Sequence, residues 1–225
     1  MCKIISKYSK TGYLKYISHL DVLRFIQRSI KRAGINAKYS EGFNPHMKTS
    51  FGFPLSLGTE SMGEYFEVEL DEKIEPEVFI YKMNAVMPKE MQILKASISN
   101  NPDSIMKRCR YAQYLINIET TLDVDELNNY FKEMLNEGVV FSRQRKNRRN
   151  KLVSKEINTK EMIKYLKAEK TKENNIRIEA LFITGERGSM RVDELLKLIE
   201  DRDFTIDYYT ILKVDALDKE MKPLL

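Results

Sequence analysis

SHLDVLRFIQRSIKRAG, residues 18–34, is the stretch on which the reading of the fold turns. Ser18 is a good N-cap residue, and Asp21 three positions on completes a capping-box arrangement. Leu20, Leu23, Ile26, Ile30 and Ala33 recur at helical spacing until Gly34 ends the run. The pattern predicts an amphipathic helix that buries this apolar stripe. Another face carries Arg24, Arg28, Lys31 and Arg32, near enough along a helix to form one basic surface. Such a face is either simply solvated or able to track phosphates.

On either side of this helix the period changes from helical to alternating. Residues 3–8 and 13–17 mix β-branched and aromatic residues with polar ones and predict strands, with a turn at 10–12. Residues 63–70 (GEYFEVEL) also alternate, which places Glu64, Glu67 and Glu69 on the wet face of a strand. A helix at 76–87 and a strand at 91–98 complete a β-α-β-β-α-β order. The turn-rich 99–103 (SNNPD) marks a domain boundary. The order then recurs, with strands at 110–119, 139–142, 175–183 and 205–214 and helices at 123–138, 159–167 and 192–200. The expected fold is α+β, with two ferredoxin-like halves, 1–100 and 104–218, the second bearing a basic insertion at 143–151.

Composition bounds the function. The 225 residues hold one large or two small domains, and no run of about 18 apolar residues is present to span a bilayer as a helix. The N-terminus lacks the apolar core of a signal peptide, so a cytoplasmic location is expected. Cys2 and Cys109 are the only cysteines, too few for an iron–sulfur cluster or a disulfide framework. With His19 and His46 the only imidazoles, no metal and no cofactor are expected on this chain.

Charge is segregated more than the net +5 suggests. Residues 1–53 hold ten Lys/Arg against two acids and 106–155 hold eleven against six, whereas 54–105 hold four against ten. Clustered cations point to an anionic partner, with RNA the foremost candidate, because they gain affinity by releasing counterions from phosphates. The densest run, 142–151, places Arg143, Arg145, Lys146, Arg148, Arg149 and Lys151 together without an acid. Arginines also stack on bases and fork onto phosphates. The turn 185–188 (GERG) before a helix is a weaker anion-binding candidate.

One loop could carry chemistry. Residues 41–58, EGFNPHMKTSFGFPLSLG, contain three Gly, two Pro, three Phe and His46. Phe43 and Phe51 offer stacking faces, Asn44 and His46 polar contacts, and Lys48 a phosphate contact. Equally, the phenylalanines could plug the core beneath an irregular connection. His46 and Lys48, with His19 and Tyr39, are also the candidate groups for a metal-independent ribonuclease in which His46 is the general base.

Three segments carry a family resemblance: 14–21 (LKYISHLD), 39–46 (YSEGFNPH) and 54–58 (PLSLG). They resemble the bacterial radical-SAM-linked domain family of unknown function, whose pattern has Leu-Arg-Phe-Ile-Ser-His-Leu-Asp, Tyr-Ser-x-Gly-Phe-Asn-Pro-His and Pro-Leu-x-Leu-Gly. Lys15 and Tyr16 stand here in the Arg and Phe positions. The resemblance implies association with a radical-SAM enzyme and a context of ribosomes and RNA processing, without catalytic residues to carry over. Because this chain has no cluster motif, the radical chemistry would belong to a separately encoded partner. The doubled architecture is also similar to that of the CRISPR repeat-processing endoribonucleases. Together these readings give three expectations: an RNA-binding module that presents RNA to that partner, a ribonuclease, or a protein–protein adaptor without RNA affinity.

Overall fold

A computed structural model describes residues 2–146, 150–185, 189–202 and 204–225. The protein is a mixed α+β structure whose strand pairs are mostly antiparallel. Its first elements are β1 (Cys2–Lys10), a 3-10 helix (Gly12–Tyr16), α1 (His19–Arg32), β2 (Thr49–Phe51), β3 (Glu60–Leu70), α2 (Pro76–Asn84), β4 (Ile93–Ile98) and α3 (Ile105–Arg108). There follow β5 (Tyr111–Glu119), α4 (Val124–Asn136), β6 (Val140–Lys146), β7 (Leu152–Asn158), α5 (Thr159–Met162), β8 (Ile163–Lys172), β9 (Asn175–Ile183), α6 (Val192–Glu200) and β10 (Tyr208–Leu217). Two compact units result: Met1–Arg110 with Leu212–Leu225, and Tyr111–Ile211.

In the first unit, α1 begins as its sequence dictates, with the Ser18 hydroxyl accepting the Asp21 N–H at 3.2 Å. Gly34 takes φ +63°, and the Ile35 N–H turns back to the Ile30 carbonyl at 3.2 Å. The buried stripe is Val22, Ile26, Ser29 and Ile30, and its three apolar side chains pack with Ile4, Phe66 and Val68 of the sheet. Leu20, expected in that stripe, instead faces solvent. It lies two residues, or about 200° of helix, from Val22, whose position against β3 sets which face is inward.

The strand order is β4-β1-β3 with β2 on the far side of β3, and every one of these neighbours runs antiparallel. β2 is short because the 41–58 loop touches the ladder only from Thr49↔Val68 to Phe51↔Phe66. The strand expected at 13–17 is the 3-10 helix. Gly12 adopts φ +57° and gives its N–H to Glu60 Oε1 at 2.8 Å, while Leu14 and Ile17, three apart, face the core.

The remaining edge of β3 is completed by the other end of the chain. Residues 212–217 of β10 belong to this unit, with Leu212↔Glu60 and Lys213↔Ser61 paired in parallel. Gly63 permits this approach, since a Cβ there would lie 2.4 Å from the Asp215 Cα. Glu64, expected on a wet face, is accordingly internal. Glu64 accepts Lys213 Nζ at 2.7 Å and the Ser61 hydroxyl at 2.9 Å, while Asp215 bonds Lys7 Nζ at 2.5 Å and the Tyr65 hydroxyl at 2.6 Å. Residues 104–110, expected in the second domain, also belong here, because Ile105 and Cys109 bury against Ile5, Tyr65, Ala216 and Leu224.

In the second unit, β9 lies between β5 and β8, antiparallel to both, and 208–211 of β10 lie beside β5. Leu127, Phe131 and Met134 of α4 and Leu195, Leu196 and Ile199 of α6 share a core with Ile116, Ile178 and Phe182. The helix expected at 159–167 stops at Met162, because Leu166 and Ala168 alternate with exposed Lys167 and Glu169 and continue as β8. β6 and β7 pair from Val140↔Asn158 to Lys146↔Leu152 as a two-stranded sheet of their own. The strand foreseen at 139–142 thus extends into the basic run.

Closure of β3 by β10 makes two predictions for urea denaturation. Gly63→Ala lowers stability by about 1–3 kcal/mol, since the added methyl meets backbone that cannot move aside. Gly52→Ala, whose Cβ meets nothing nearer than 3.6 Å, changes it little. Lys213→Met strands the buried Glu64 carboxylate and destabilises by about 3–5 kcal/mol, while the Glu64→Leu, Lys213→Met double variant recovers most of that loss.

Candidate functional site

The 41–58 loop and β3 enclose a cleft in the first unit. On β3, Phe66 and Val68 point into the core, so the alternation turns Glu67 and Glu69 to the opposite face. Lys3 stands opposite Glu69 on β1, and the Glu69 N–H reaches the Lys48 carbonyl at 3.0 Å. The resulting cleft, of about 350 Å³, is lined by Lys3, His46, Lys48, Thr49, Glu67 and Glu69, among others.

Its electrostatics are balanced. Glu67 is buried and takes Arg108 at 3.1 Å, the Ser99 hydroxyl at 3.2 Å and the Lys3 ammonium at 3.6 Å. Glu69 Oε2 is buried without a hydrogen bond, and the Lys48 ammonium stands 3.8 Å away. Lys3, Glu67 and Glu69 were not singled out as cleft residues from the sequence. The only signal was the alternation of β3, which reads as a wet face unless the covering segments are known.

His46 is anchored on Ser40. Its N–H donates to the Ser40 oxygen at 3.0 Å, and its Nδ1 lies 2.8 Å from that oxygen. The Ser40 hydroxyl can give its hydrogen to Nδ1 or accept one from it, and either way it orients the imidazole.

Of the four candidate catalytic residues, His46 and Lys48 line this cleft and the other two do not. His19 packs edge-on to Phe51 at 6.2 Å. Burial lowers its pKa most, the Lys10 ammonium lowers it further, and Glu64 partly opposes both. Tyr39 lies with its ring 5.5 Å from the Lys31 ammonium.

Among the candidate RNA ligands, Arg24 and Arg28 are exposed on α1, and Phe43 and Asn44 are exposed in the loop. Phe51 is a correction: it is buried and stacked on Phe66 at 5.8 Å, so its face is not available to a base. Arg32, on the basic face of α1, is also engaged, bonding Ser29 and the Val86 carbonyl.

Arg143 is the other correction. Its Nε and Nη2 each lie 2.6 Å from the Glu194 carboxylate, and Nη2 also reaches the Ser189 carbonyl at 3.0 Å. This fork fastens the base of the β6–β7 hairpin to the start of α6 and commits the Nε and Nη2 donors, so the forked edge of the guanidinium is not open to a phosphate. Lys151 is exposed near the other end of the hairpin. Arg148 and Arg149 lie outside the described residues, as do the side chains of Arg145 and Lys146 and most of the 185–188 turn. Among the described residues no cluster of His, Cys, Asp and Glu could hold a metal ion, and no helix is long and apolar enough to cross a membrane.

The mixed α+β fold with its balanced cleft and basic surfaces defines a class but not an activity. The chain belongs to the family described as "Uncharacterized protein conserved in bacteria (DUF2344)", whose profile matches residues 3–192. No curated protein matches the sequence. Among solved structures, one described as a Cbf5-Nop10-Gar1 complex is 10% identical, with a TM-score of 0.47 over 95% of this chain and 48% of that one. An H/ACA RNP bound to a substrate RNA containing 2'-deoxyuridine is also 10% identical, with a TM-score of 0.46 over 95% and 47%. The acetolactate synthase small subunit from Thermotoga maritima is 11% identical, with a TM-score of 0.27 over 97% and 98%. The chain thus spans about half the length of the first two, and at these TM-scores none of the likenesses carries a functional argument.

The Arg143 fork predicts a pH-dependent stability. Burial raises the Glu194 pKa, but hydrogen bonds from Arg143 and from the Arg191 backbone and side chain outweigh it, and the net shift is below the ordinary 4.5. The stabilisation is therefore complete above pH 4.5 and is lost as pH falls through the lower folded-state value. Arg143→Gln should destabilise the protein by about 2–3 kcal/mol at neutral pH and flatten the acid limb of its urea midpoint against pH.

Proposed function

We propose that this protein binds RNA in the cytoplasm through a basic surface on each unit and presents it to a separately encoded radical-SAM enzyme. The observation that carries the RNA reading is the β6–β7 hairpin. Residues 140–158 hold seven Lys/Arg against one Glu, on a ribbon that forms its own two-stranded sheet. An isolated hairpin is marginal in water, and this one also repels itself. Its base is nevertheless pinned by the Arg143–Glu194 fork and by Ile157 in the core, so cationic strands are held out as a formed element. Phosphate relieves the repulsion and releases counterions. On the first unit, Arg24, Arg28 and Lys48 add phosphate contacts, with His46 and Asn44 for polar groups and Phe43 for stacking.

In this reading each unit is a ferredoxin-like half, the second with the basic hairpin inserted. Supporting it are the antiparallel order β4-β1-β3-β2 in one and the order β10-β5-β9-β8 in the other. The radical-SAM partner rests on the motif resemblance at 14–58 alone.

The test is a titration of the purified chain with transfer and ribosomal RNA at two salt concentrations, following affinity and RNA integrity together. Wild type binds intact RNA with a steep salt dependence. Changing Arg145, Lys146, Arg148, Arg149 and Lys151 to Gln weakens binding roughly ten-fold or more and lowers the salt slope by about one for each phosphate contact removed. No binding at low salt would sink the RNA reading and leave the adaptor. Cleavage abolished by His46→Gln with binding intact would replace the module by a ribonuclease.

A further inference from the structure

The 3-10 helix and the first turn of α1 turn large side chains outward. Tyr13 is 91% exposed, Tyr16 62%, Leu20 61% and the neighbouring Leu57 64%. Their backbone is well fixed. Gly12 is tied to Glu60, the Gly58 N–H reaches the Lys15 carbonyl at 3.0 Å, and buried Lys10 donates to the Ile17 carbonyl at 3.1 Å. The aromatic rings therefore project from a rigid base, and the Lys15 ammonium lies 5.4 Å from the Tyr16 ring.

From Leu20, i+4 steps lead along the exposed face of α1 to Arg24 and Arg28, and then to Lys31 above the Tyr39 ring. The row from Leu20 to Lys31 is about 16 Å long at the helical rise of 1.5 Å per residue. Exposed aromatic rings, Tyr16 with Lys15 over one face, together with a line of cations are matched by a strand whose bases are unstacked as well as its phosphates exposed. A duplex hides its base faces. An apolar protein partner would meet the exposed cations of α1 uncompensated.

We infer that this surface of the first unit binds unpaired RNA, with Tyr13 and Tyr16 stacking on bases while Arg24, Arg28 and Lys31 hold the phosphates. The inference rests on the RNA reading above and narrows it to single-stranded segments. It is tested on the full chain with a short unstructured RNA and the corresponding duplex, each titrated at two salt concentrations. Tyr13→Ala with Tyr16→Ala loses roughly ten-fold or more in affinity for the single strand, at an unchanged salt slope and unchanged duplex affinity. Tyr13→Phe with Tyr16→Phe keeps wild-type binding, because the ring does the stacking. Arg24→Gln with Arg28→Gln lowers the salt slope instead. Single-strand binding unchanged in the alanine pair, or a wild type that prefers the duplex, overturns the inference while RNA binding stands. A wild type that binds neither RNA at low salt overturns the RNA reading and this inference with it.

Discussion

A carboxylate inside a protein must find a cation, and in the first unit the cation comes from the far end of the chain. Glu64 sits in the interior of β3 with Lys213 at 2.7 Å, and Asp215, one turn of the pleat later, closes onto Lys7 and Tyr65. Neither pair is stable half-made, because removing one partner leaves a charge where water cannot reach it. The last strand is therefore part of the first unit's core as much as Ile4 or Phe66. Gly63 supplies the clearance that the pairing needs. Further along β3, pairing with β1 and β2 holds the alternation that sends Glu67 and Glu69 into the cleft.

Local signals in the sequence were reliable where a local cause decided the structure. The Ser18 cap, the Gly34 terminus and the alternation of β9 are each settled within a few residues, and the structure follows them. The errors fall where a distant segment decides. The wet-face assignment of Glu64 and Glu67 failed because what covers them is Lys213 from β10 and Arg108 from α3. Leu20 was assigned inward by spacing alone; Ile26 and Ile30 of the same stripe are buried, but in the first turn Val22 takes the inward position and Leu20 falls beyond the edge of the buried face. The 13–17 segment has hydrophobic residues at both a two- and a three-residue period. Gly12 with positive φ, tied to Glu60, selects the second.

For the candidate site, the sequence located the basic regions but not the state of each cation. Arg143, Arg32 and Arg108 read in sequence like Arg24 and Arg28, yet the first three are spent on Glu194, Val86 and Glu67. Of the three, only Arg143 is forked onto a carboxylate, and there the edge that would pair with a phosphate is already taken; Arg32 and Arg108 are held by single contacts to backbone or side-chain oxygens. Phe51 and Phe43 diverge in the same way. They are eight residues apart in one loop, but only Phe51 falls on the β2 ladder and so enters the core.

The two faces of the first unit differ in what they can attract. In the cleft, Lys3 and Lys48 are set against Glu67 and Glu69, and charges of opposite sign that close together give little net field a few ångströms away. On the outer face of α1 the basic residues are exposed, with Asp21 at 3.8 Å from Arg24 as the nearby acid. Long-range attraction for a polyanion therefore resides on the helix, whereas the cleft offers short-range donors and acceptors that act only after contact. In the RNA reading proposed above, α1 would attract the strand, and His46 and Lys48 would contact it only at short range. Capture and discrimination would then fall to different residues of one small unit.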